Sequence, residues 1–225
     1  PEARRLLLEG KYEEGFKAAN DAFGGDGGTS GRPNRVDPYQ PAGDLFVEFS
    51  HGFVHDYRRE LDLDTASATV SYSSDGGRFT RHYIANLAED LILIRVDKGG
   101  KPFTCTVWLD RNHDPDCNLS FETAPRTLSM DGQIKDGVEF CVSTDVFIKD
   151  GKASVQDGRR LLLSDITELV LSMNIGVSPE PRKAQKECKA KRLKAPFSWG
   201  ELFKTHVAEH RRERTRRQHP ARARQ

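Results

Sequence analysis

Asp-Gly pairs recur between short runs of β-branched and aromatic residues through the central part of the chain. Gly adopts a positive φ without steric cost, as two-residue hairpin turns require. Because no helical segment separates the runs, the pattern excludes a parallel βαβ sheet. It predicts a mainly β fold, a large antiparallel β-sandwich or barrel with short helices at both ends. The pairs lie at 75–76, 131–132, 136–137, 150–151 and 157–158.

Residues 1–23 predict an N-terminal helical segment. Apolar side chains recur there at helical spacing, and Gly10 supplies a left-handed stop between two helices. From residue 24 to residue 40, glycines and prolines replace this pattern and indicate an extended loop. We therefore place the β-sandwich domain at 24–180, with its strands between 44 and 177.

The C-terminal part turns helical again after two prolines, and we assign linker helices to 181–210. Ser198 and Glu201 fit a capping box, in which the serine caps the first turn and the glutamate reaches back to the cap nitrogen. The apolar stripe of this helix ends at Arg211. Residues 211–225 hold no apolar side chain larger than Ala, so we predict a basic, disordered tail.

Charge is distributed unevenly although the formal net charge is only +1. Residues 182–194 and 211–225 each hold seven Lys or Arg against one Glu, which leaves the rest of the chain acidic. No apolar run approaches the about 20 residues of a membrane helix. The chain opens at Pro1 without a readable export signal, and we expect it to be a piece of a longer gene product.

The four cysteines match neither a metal knuckle nor a dense disulfide framework. Cys105 and Cys141 lie inside strand-like runs, so we interpret them as small buried hydrophobes. The other two are Cys117 and Cys188.

Two clusters of acidic residues are candidates for metal binding or catalysis. Residues 110–116 resemble the start of a calcium loop, but Pro115 and Phe121 stand where such a loop needs Gly and Glu. Glu60, Asp62 and Asp64 alternate along one strand, which predicts a charged outer face more simply than an acid/base pair. We assign neither group to metal binding or catalysis.

His206 and His210 lie one helical turn apart, a spacing that metal ligands use. With no third ligand nearby in sequence, the pair indicates packing or a surface position. The sequence thus predicts no catalytic, cofactor-binding or metal site and no cofactor.

The order of the motifs is more specific than any single one. The chain resembles the N-terminal β-sandwich domain of glycoside hydrolase family 95, the α-L-fucosidases. The resemblance covers about residues 1–211 and extends to a linker helix in SWGELFKTHVAEHR. It rests on LLLEGKYEEGFKAA, PYQPAGDLFVEF (38–49), YRRELDLDTASATVSYSSDGGRFTRHYIAN (57–86), LILIRVDK (91–98) and VWLDR (107–111).

The resemblance implies a partner that this sequence does not contain. Family members continue into an (α/α)6 catalytic barrel, where a Glu general acid and an activated water hydrolyse terminal α-linked fucose with inversion. All of those catalytic residues belong to the barrel, so none is carried onto this chain. We expect a non-catalytic domain that has no turnover by itself, with a fucosylated oligosaccharide as the implied substrate and an extracellular or periplasmic setting.

Two alternatives of other classes stay open. A carbohydrate-binding module would use exposed aromatic side chains, and Trp108, Tyr39 and Tyr57 are the candidates. Strand alternation argues against Trp108: it puts Trp108 on the face opposite Cys105, and that face must be solvated for Trp108 to bind a sugar. A polyanion-binding adaptor would use the two basic segments, 182–194 and 211–225, although these lack the interleaved aromatic residues of many nucleic-acid sites. We expect neither a membrane nor a nucleic acid as partner.

Overall fold

The computed structural model describes residues 2–23, 40–135, 137–193 and 196–218. Four helices and twelve strands lie within these ranges. The helices are α1 Glu2–Leu8, α2 Tyr12–Phe23, α3 Lys183–Ala190 and α4 Trp199–Gln218. The strands are β1 Asp44–Phe49, β2 His55–Asp62, β3 Ser67–Ser74, β4 Gly77–Asn86, β5 Leu91–Asp97, β6 Phe103–Asp110, β7 Cys117–Ala124, β8 Thr127–Ile134, β9 Glu139–Lys149, β10 Lys152–Gln156, β11 Arg160–Ile166 and β12 Glu168–Ser178.

The N-terminal helices belong to a compact unit of their own, Pro1–Pro41, and the rest of the chain forms a second unit, Ala42–Gln225. Gly10, at φ +76°, ends α1 with the hydrogen bonds from Gly10 N to Leu7 O and from Lys11 N to Leu6 O, at 3.2 and 3.0 Å. The predicted loop at 24–40 lies outside the described residues except for Gln40.

Two antiparallel sheets hold the strands and confirm the predicted β-sandwich. The smaller sheet has the order β1-β6-β11-β10, and the larger has the order β2-β3-β4-β5-β12-β9-β8-β7. Four strands therefore face eight, so the smaller sheet covers only part of the larger one.

The core lies between the sheets and follows from strand alternation. In β6, Phe103, Cys105, Val107 and Leu109 are buried, while the residues between them are half-buried on the outer face. Each fully buried apolar side chain of this kind stabilises the fold by about 1.5–3 kcal/mol. The larger sheet faces them with Phe79, Leu128, Met130, Val142, Leu169 and Leu171.

Three of the five Asp-Gly pairs form the predicted hairpin turns. The pairs at 75–76, 150–151 and 157–158 each have positive φ at both residues, between 48° and 67°. This is the conformation of a type I′ turn, whose twist matches that of the flanking strands. They connect β3 to β4, β9 to β10 and β10 to β11.

The pair at 131–132 is a correction, because it lies inside β8 and not in a turn. Gly132 is needed there for close packing: a Cβ would stand 2.1 Å from Cζ of Phe140 on the neighbouring strand. For the last pair, 136–137, Asp136 lies outside the described residues.

Helix α3 packs on the outer face of the larger sheet, opposite the core. Gly176 in β12 allows this approach, since a Cβ would stand 2.6 Å from the carbonyl oxygen of Ala184. Asn174 donates from Nδ2 to the carbonyl oxygens of Cys188 and Lys191, at 3.1 and 2.5 Å. These carbonyls lie at the C-terminal end of α3, where the helix itself supplies no N–H partner for them.

Helix α4 packs on the same outer face, where Leu202 and Phe203 cover Ile84 and Leu93. The helix begins directly after Ser198, at the predicted capping position, and it runs to Gln218. Residues 211–218, predicted as disordered tail, are therefore helical, and residues 219–225 lie outside the described residues. None of the helices described is long and apolar enough to cross a membrane.

Candidate functional site

The carboxylates of β2 and its following turn are engaged by neighbouring groups. Asp62 Oδ1 accepts a hydrogen bond from the backbone N–H of Asp64 at 2.8 Å, and this bond lowers the pKa of Asp62 below its ordinary value. Glu60 pairs with Arg58 at 3.1 Å, and Asp64 pairs with Arg214 at 2.7 Å. A catalytic pair needs environments that drive two pKa values apart. The observed contacts instead support a charged, solvated face.

The acidic loop that resembles a calcium site is organised by an arginine. Arg111 Nη2 lies 3.0 Å from Asp114 Oδ2, while Asp114 Oδ1 accepts from the backbone N–H of Asp116 at 3.0 Å. The backbone N–H first, and Arg111 second, hold the pKa of Asp114 below its ordinary value. Across the described ranges, no group of three or more His, Cys, Asp or Glu side chains could hold a metal ion.

The histidine pair on α4 binds backbone carbonyls. His206 Nε2 lies 3.2 Å from the carbonyl oxygen of Ala66, and His210 Nε2 lies 3.0 Å from that of Leu63. His206 is buried. Both histidines therefore fasten α4 to the turn between β2 and β3, in the packing role that the sequence indicated.

Three of the four cysteines are buried, and all four are free thiols. Burial raises the pKa of Cys105 to about 12. Cys188 donates from Sγ to the carbonyl oxygen of Cys141 at 3.0 Å and packs with it beside Ala184. Hydrogen bonding to Cys188 first, and burial second, raise the pKa of Cys141. A nucleophile needs a lowered pKa and access, so Cys105 and Cys141 pack as small hydrophobes.

Most of the described basic side chains in the two C-terminal segments are neutralised locally, and this weakens the polyanion hypothesis. In the first segment, the partners are Glu180 just before α3, Asp90 in the turn between β4 and β5, and Asp145 in β9. In the second segment, two of the three pairs lie within α4. The pairs are Lys183–Glu180, Lys191–Asp90, Arg192–Asp145, Arg212–Glu209, Arg214–Asp64 and Arg216–Glu213.

Trp108 lies on the outer face of the smaller sheet, opposite the buried Cys105 and Val107 of the same strand. Its ring stacks on that of Phe46, with centroids 5.0 Å apart and planes 4° from parallel. The guanidinium of Arg160 lies 4.9 Å from the Trp108 ring centroid. Of the other two aromatic candidates, Tyr57 is exposed on β2 and Tyr39 lies outside the described residues.

A cleft of about 290 Å³ opens beside this stack. We call it the Trp108 cleft. Arg159 forms one wall, where it pairs with Asp110 at 3.2 Å and lies 3.7 Å from the ring centroid of Phe121. The complete lining is Trp108, Asp110, Asp157, Arg159 and Arg160.

A second feature is an exposed apolar strip on the inner face of the larger sheet. Ile175 and Val177 pair in register with the buried Val142 and Phe140, so their side chains point to the core side of the sheet. They are nevertheless 44% and 55% exposed, and Ile92 on β5 is 37% exposed beside them. We call Ile92, Ile175 and Val177 the inner-face strip.

The comparison with protein families decides what kind of domain this is. Residues 1–178 match the family model of the glycosyl hydrolase family 65 N-terminal domain. The match covers well over half of the chain. The chain belongs to this family.

Two further similarities agree with this glycosyl hydrolase N-terminal domain. The chain is 38% identical over 99 residues to alpha-L-fucosidase 2 of Arabidopsis thaliana, a match that covers 42% of the chain and 11% of that protein. It also resembles a solved structure from the human microbiome that is named as a kojibiose phosphorylase. The TM-score is 0.55 at 10% identity, over 73% of this chain and 27% of that one. At this identity the structural likeness shows the fold alone.

These findings confirm the prediction of a glycoside hydrolase N-terminal sandwich domain. The chain spans about a tenth and about a quarter of the two proteins just named. A glycosyl hydrolase N-terminal domain implies a catalytic domain in the full-length protein.

The residues of the inner-face strip were not predicted from the sequence. The sequence of the 11-residue strand β12 does contain a relevant pattern, because Ile175 and Val177 are the last of its alternating apolar residues. That alternation shows which side chains share a face, but it does not show where the opposite sheet stops covering them.

Proposed function

We propose that this domain supports the hydrolysis of terminal α-linked fucose by the catalytic domain of the full-length protein. The observation that carries the proposal is the 38% identity over 99 residues to an α-L-fucosidase. The sandwich itself is non-catalytic in this proposal, and Glu60 in β2 and Asp64 in the turn after it keep their surface pairings.

The inner-face strip is the surface through which the domain contacts the catalytic domain. Its side chains continue the core beyond the edge of the smaller sheet, so a second domain placed there extends the same apolar packing. Burial of apolar surface stabilises such a contact by about 25 cal/mol per Å². A typical stable interface takes about 800 Å² from each partner, so the strip forms only the centre of the contact.

Fucose release from 2′-fucosyllactose tests the proposal. Three samples are compared: this chain, a separately produced α-L-fucosidase catalytic domain that lacks its own sandwich, and the mixture. We expect no release by the chain, weak release by the catalytic domain, and a clear gain in the mixture.

Two results contradict the proposal. Release by the chain alone means that a catalytic pair exists within the sandwich. A mixture no more active than the catalytic domain alone means that the sandwich does not support this reaction. A Tyr57→Ala variant, changed on an exposed residue away from the strip, serves as the matched control and keeps the gain.

A further inference from the structure

The Trp108 cleft combines an aromatic side chain with hydrogen-bonding groups that the protein does not use. Arg160 touches Trp108 and forms no ion pair within the described part of the chain. Asp157, in the turn between β10 and β11, likewise forms no side-chain hydrogen bond or ion pair with any described residue. A free guanidinium and a free carboxylate therefore face one cleft, and each is ready to bind a ligand.

The groups that surround the cleft are held in place before any ligand binds. Phe46 and Arg160 come from the strands on either side of β6, so Trp108 is fixed between them. Arg159 is fixed by Asp110, by the ring of Phe121, and by its carbonyl oxygen, which accepts from the Thr123 hydroxyl at 3.1 Å. Preorganised groups lose little conformational entropy on binding, so such a site can bind a small ligand.

The charge balance selects the class of ligand. Arg159 and Asp110 neutralise each other, and Arg160 is balanced by Asp157, so the cleft attracts neither anions nor cations strongly. It offers N–H donors, carboxylate acceptors and an apolar ring side by side. A pyranose presents the matching set, namely hydroxyl groups that both donate and accept and a C–H surface that packs on an aromatic ring.

We propose that the Trp108 cleft is a carbohydrate-binding subsite that takes one pyranose ring of a neutral oligosaccharide. Its volume of about 290 Å³ lies just below the about 300–1,000 Å³ of ligand pockets, which suits one ring better than an extended chain. Arg160 donates to the ring hydroxyls, Asp157 accepts from them, and the part of the Trp108 side chain that lines the cleft, beyond its contacts with Phe46 and Arg160, touches the C–H groups. The subsite is independent of the fucose proposal, because any neutral sugar with this arrangement of hydroxyls can bind.

The two tryptophans of the chain make the test direct. The labelled chain is first screened on an array of neutral oligosaccharides, together with sulfated and uronate-containing ones. The best neutral sugar is then titrated while the two indole N–H signals are followed by NMR. We expect the Trp108 signal to shift with saturation, and the signal of Trp199, the first residue of α4, which packs against the larger sheet, to stay in place.

Variants separate the subsite from a general effect on the fold. Trp108→Ala is expected to weaken binding at least about tenfold, the scale of a tryptophan at the centre of an interface. Asp157→Asn removes the acceptor charge and keeps a residue that tolerates the left-handed turn, so it weakens binding without disturbing the hairpin. Phe53→Ala, which removes an exposed aromatic side chain between β1 and β2 that does not line the cleft, is the matched control and keeps full affinity.

Three outcomes overturn the proposal. The first is that no neutral oligosaccharide on the array binds. The second is that binding persists in both Trp108→Ala and Asp157→Asn. The third is that only the sulfated or uronate sugars bind, with an affinity that falls as salt rises, which assigns the cleft to anions instead.

Discussion

Gly176 lies in β12 directly beneath α3, where a side chain would meet the helix backbone. We expect Gly176→Ala to destabilise the fold by about 1–3 kcal/mol, the usual cost of overpacking a close contact. Urea unfolding measures the change. Gly200→Ala is the control: a Cβ at Gly200, in the first turn of α4, would make only an ordinary contact with Ser198 Oγ at 3.7 Å, so that substitution changes stability by no more than about 1 kcal/mol. Equal effects of the two substitutions would contradict the packing account.

His82 lies on the outer face of β4, near Trp199. Burial first, and the nearby Arg95 second, lower the pKa of His82 below its ordinary value of 6.5. Because the unfolded chain then binds the proton more tightly than the folded one, His82 reduces stability as the pH falls below 6.5. Urea midpoints of the wild type and His82→Gln at pH 5 and pH 7 test this. The wild type is expected to lose more stability on acidification, and a pKa of His82 at or above 6.5 by NMR would contradict it.

At the level of elements, α4 divides into an anchored half and an exposed half. Removal of residues 211–225 takes away exposed ion pairs, such as that between Arg214 and Asp64, and each is worth at most about 1 kcal/mol. Removal from Ser198 onward uncovers Ile84 and Leu93 and loses about 1.5–3 kcal/mol for each apolar side chain exposed. We expect a nearly unchanged melting temperature for the first truncation and a large drop for the second. Similar melting temperatures of the two truncated chains would show that α4 does not stabilise the sheet.

Some features of the strands and helices follow from local sequence patterns, and others depend on residues distant in the chain. Alternation placed Cys105 and Trp108 on opposite faces of β6, and the structure has them there. Gly132 was assigned to a turn because its true constraint, the Phe140 ring, comes from a neighbouring strand. The helix past Arg211 was missed for a different reason. Its residues bury no apolar face, yet pairs such as Arg216 with Glu213 stabilise it, by about 0.2–0.5 kcal/mol each.

At the level of the whole molecule, the unequal sheets leave the inner-face strip uncovered. We expect the isolated chain to self-associate through this strip at high concentration, since contiguous exposed apolar surface favours association. Light scattering of the wild type and of Ile175→Lys/Val177→Lys measures it. Val155→Lys changes an exposed apolar residue of the smaller sheet and is the control. A monomeric wild type at high concentration would remove the strip as an association surface.

The sandwich class and the positions of most strands could be predicted from sequence, because alternation and Asp-Gly turns are local. The division into four and eight strands could not. It depends on β1 crossing to pair with β6 while β2 to β5 join the other sheet, a choice made by long-range packing. Neither the strip nor the Trp108 cleft can be seen until that division is known.

We propose that this glycosyl hydrolase N-terminal domain acts by docking its inner-face strip on a catalytic domain. Calorimetric titration of the chain into a separately produced α-L-fucosidase catalytic domain tests this most directly. We predict binding by the wild type and by Val155→Lys, and binding weakened at least about tenfold in Ile175→Lys/Val177→Lys. Equal affinity of all three chains would contradict the account.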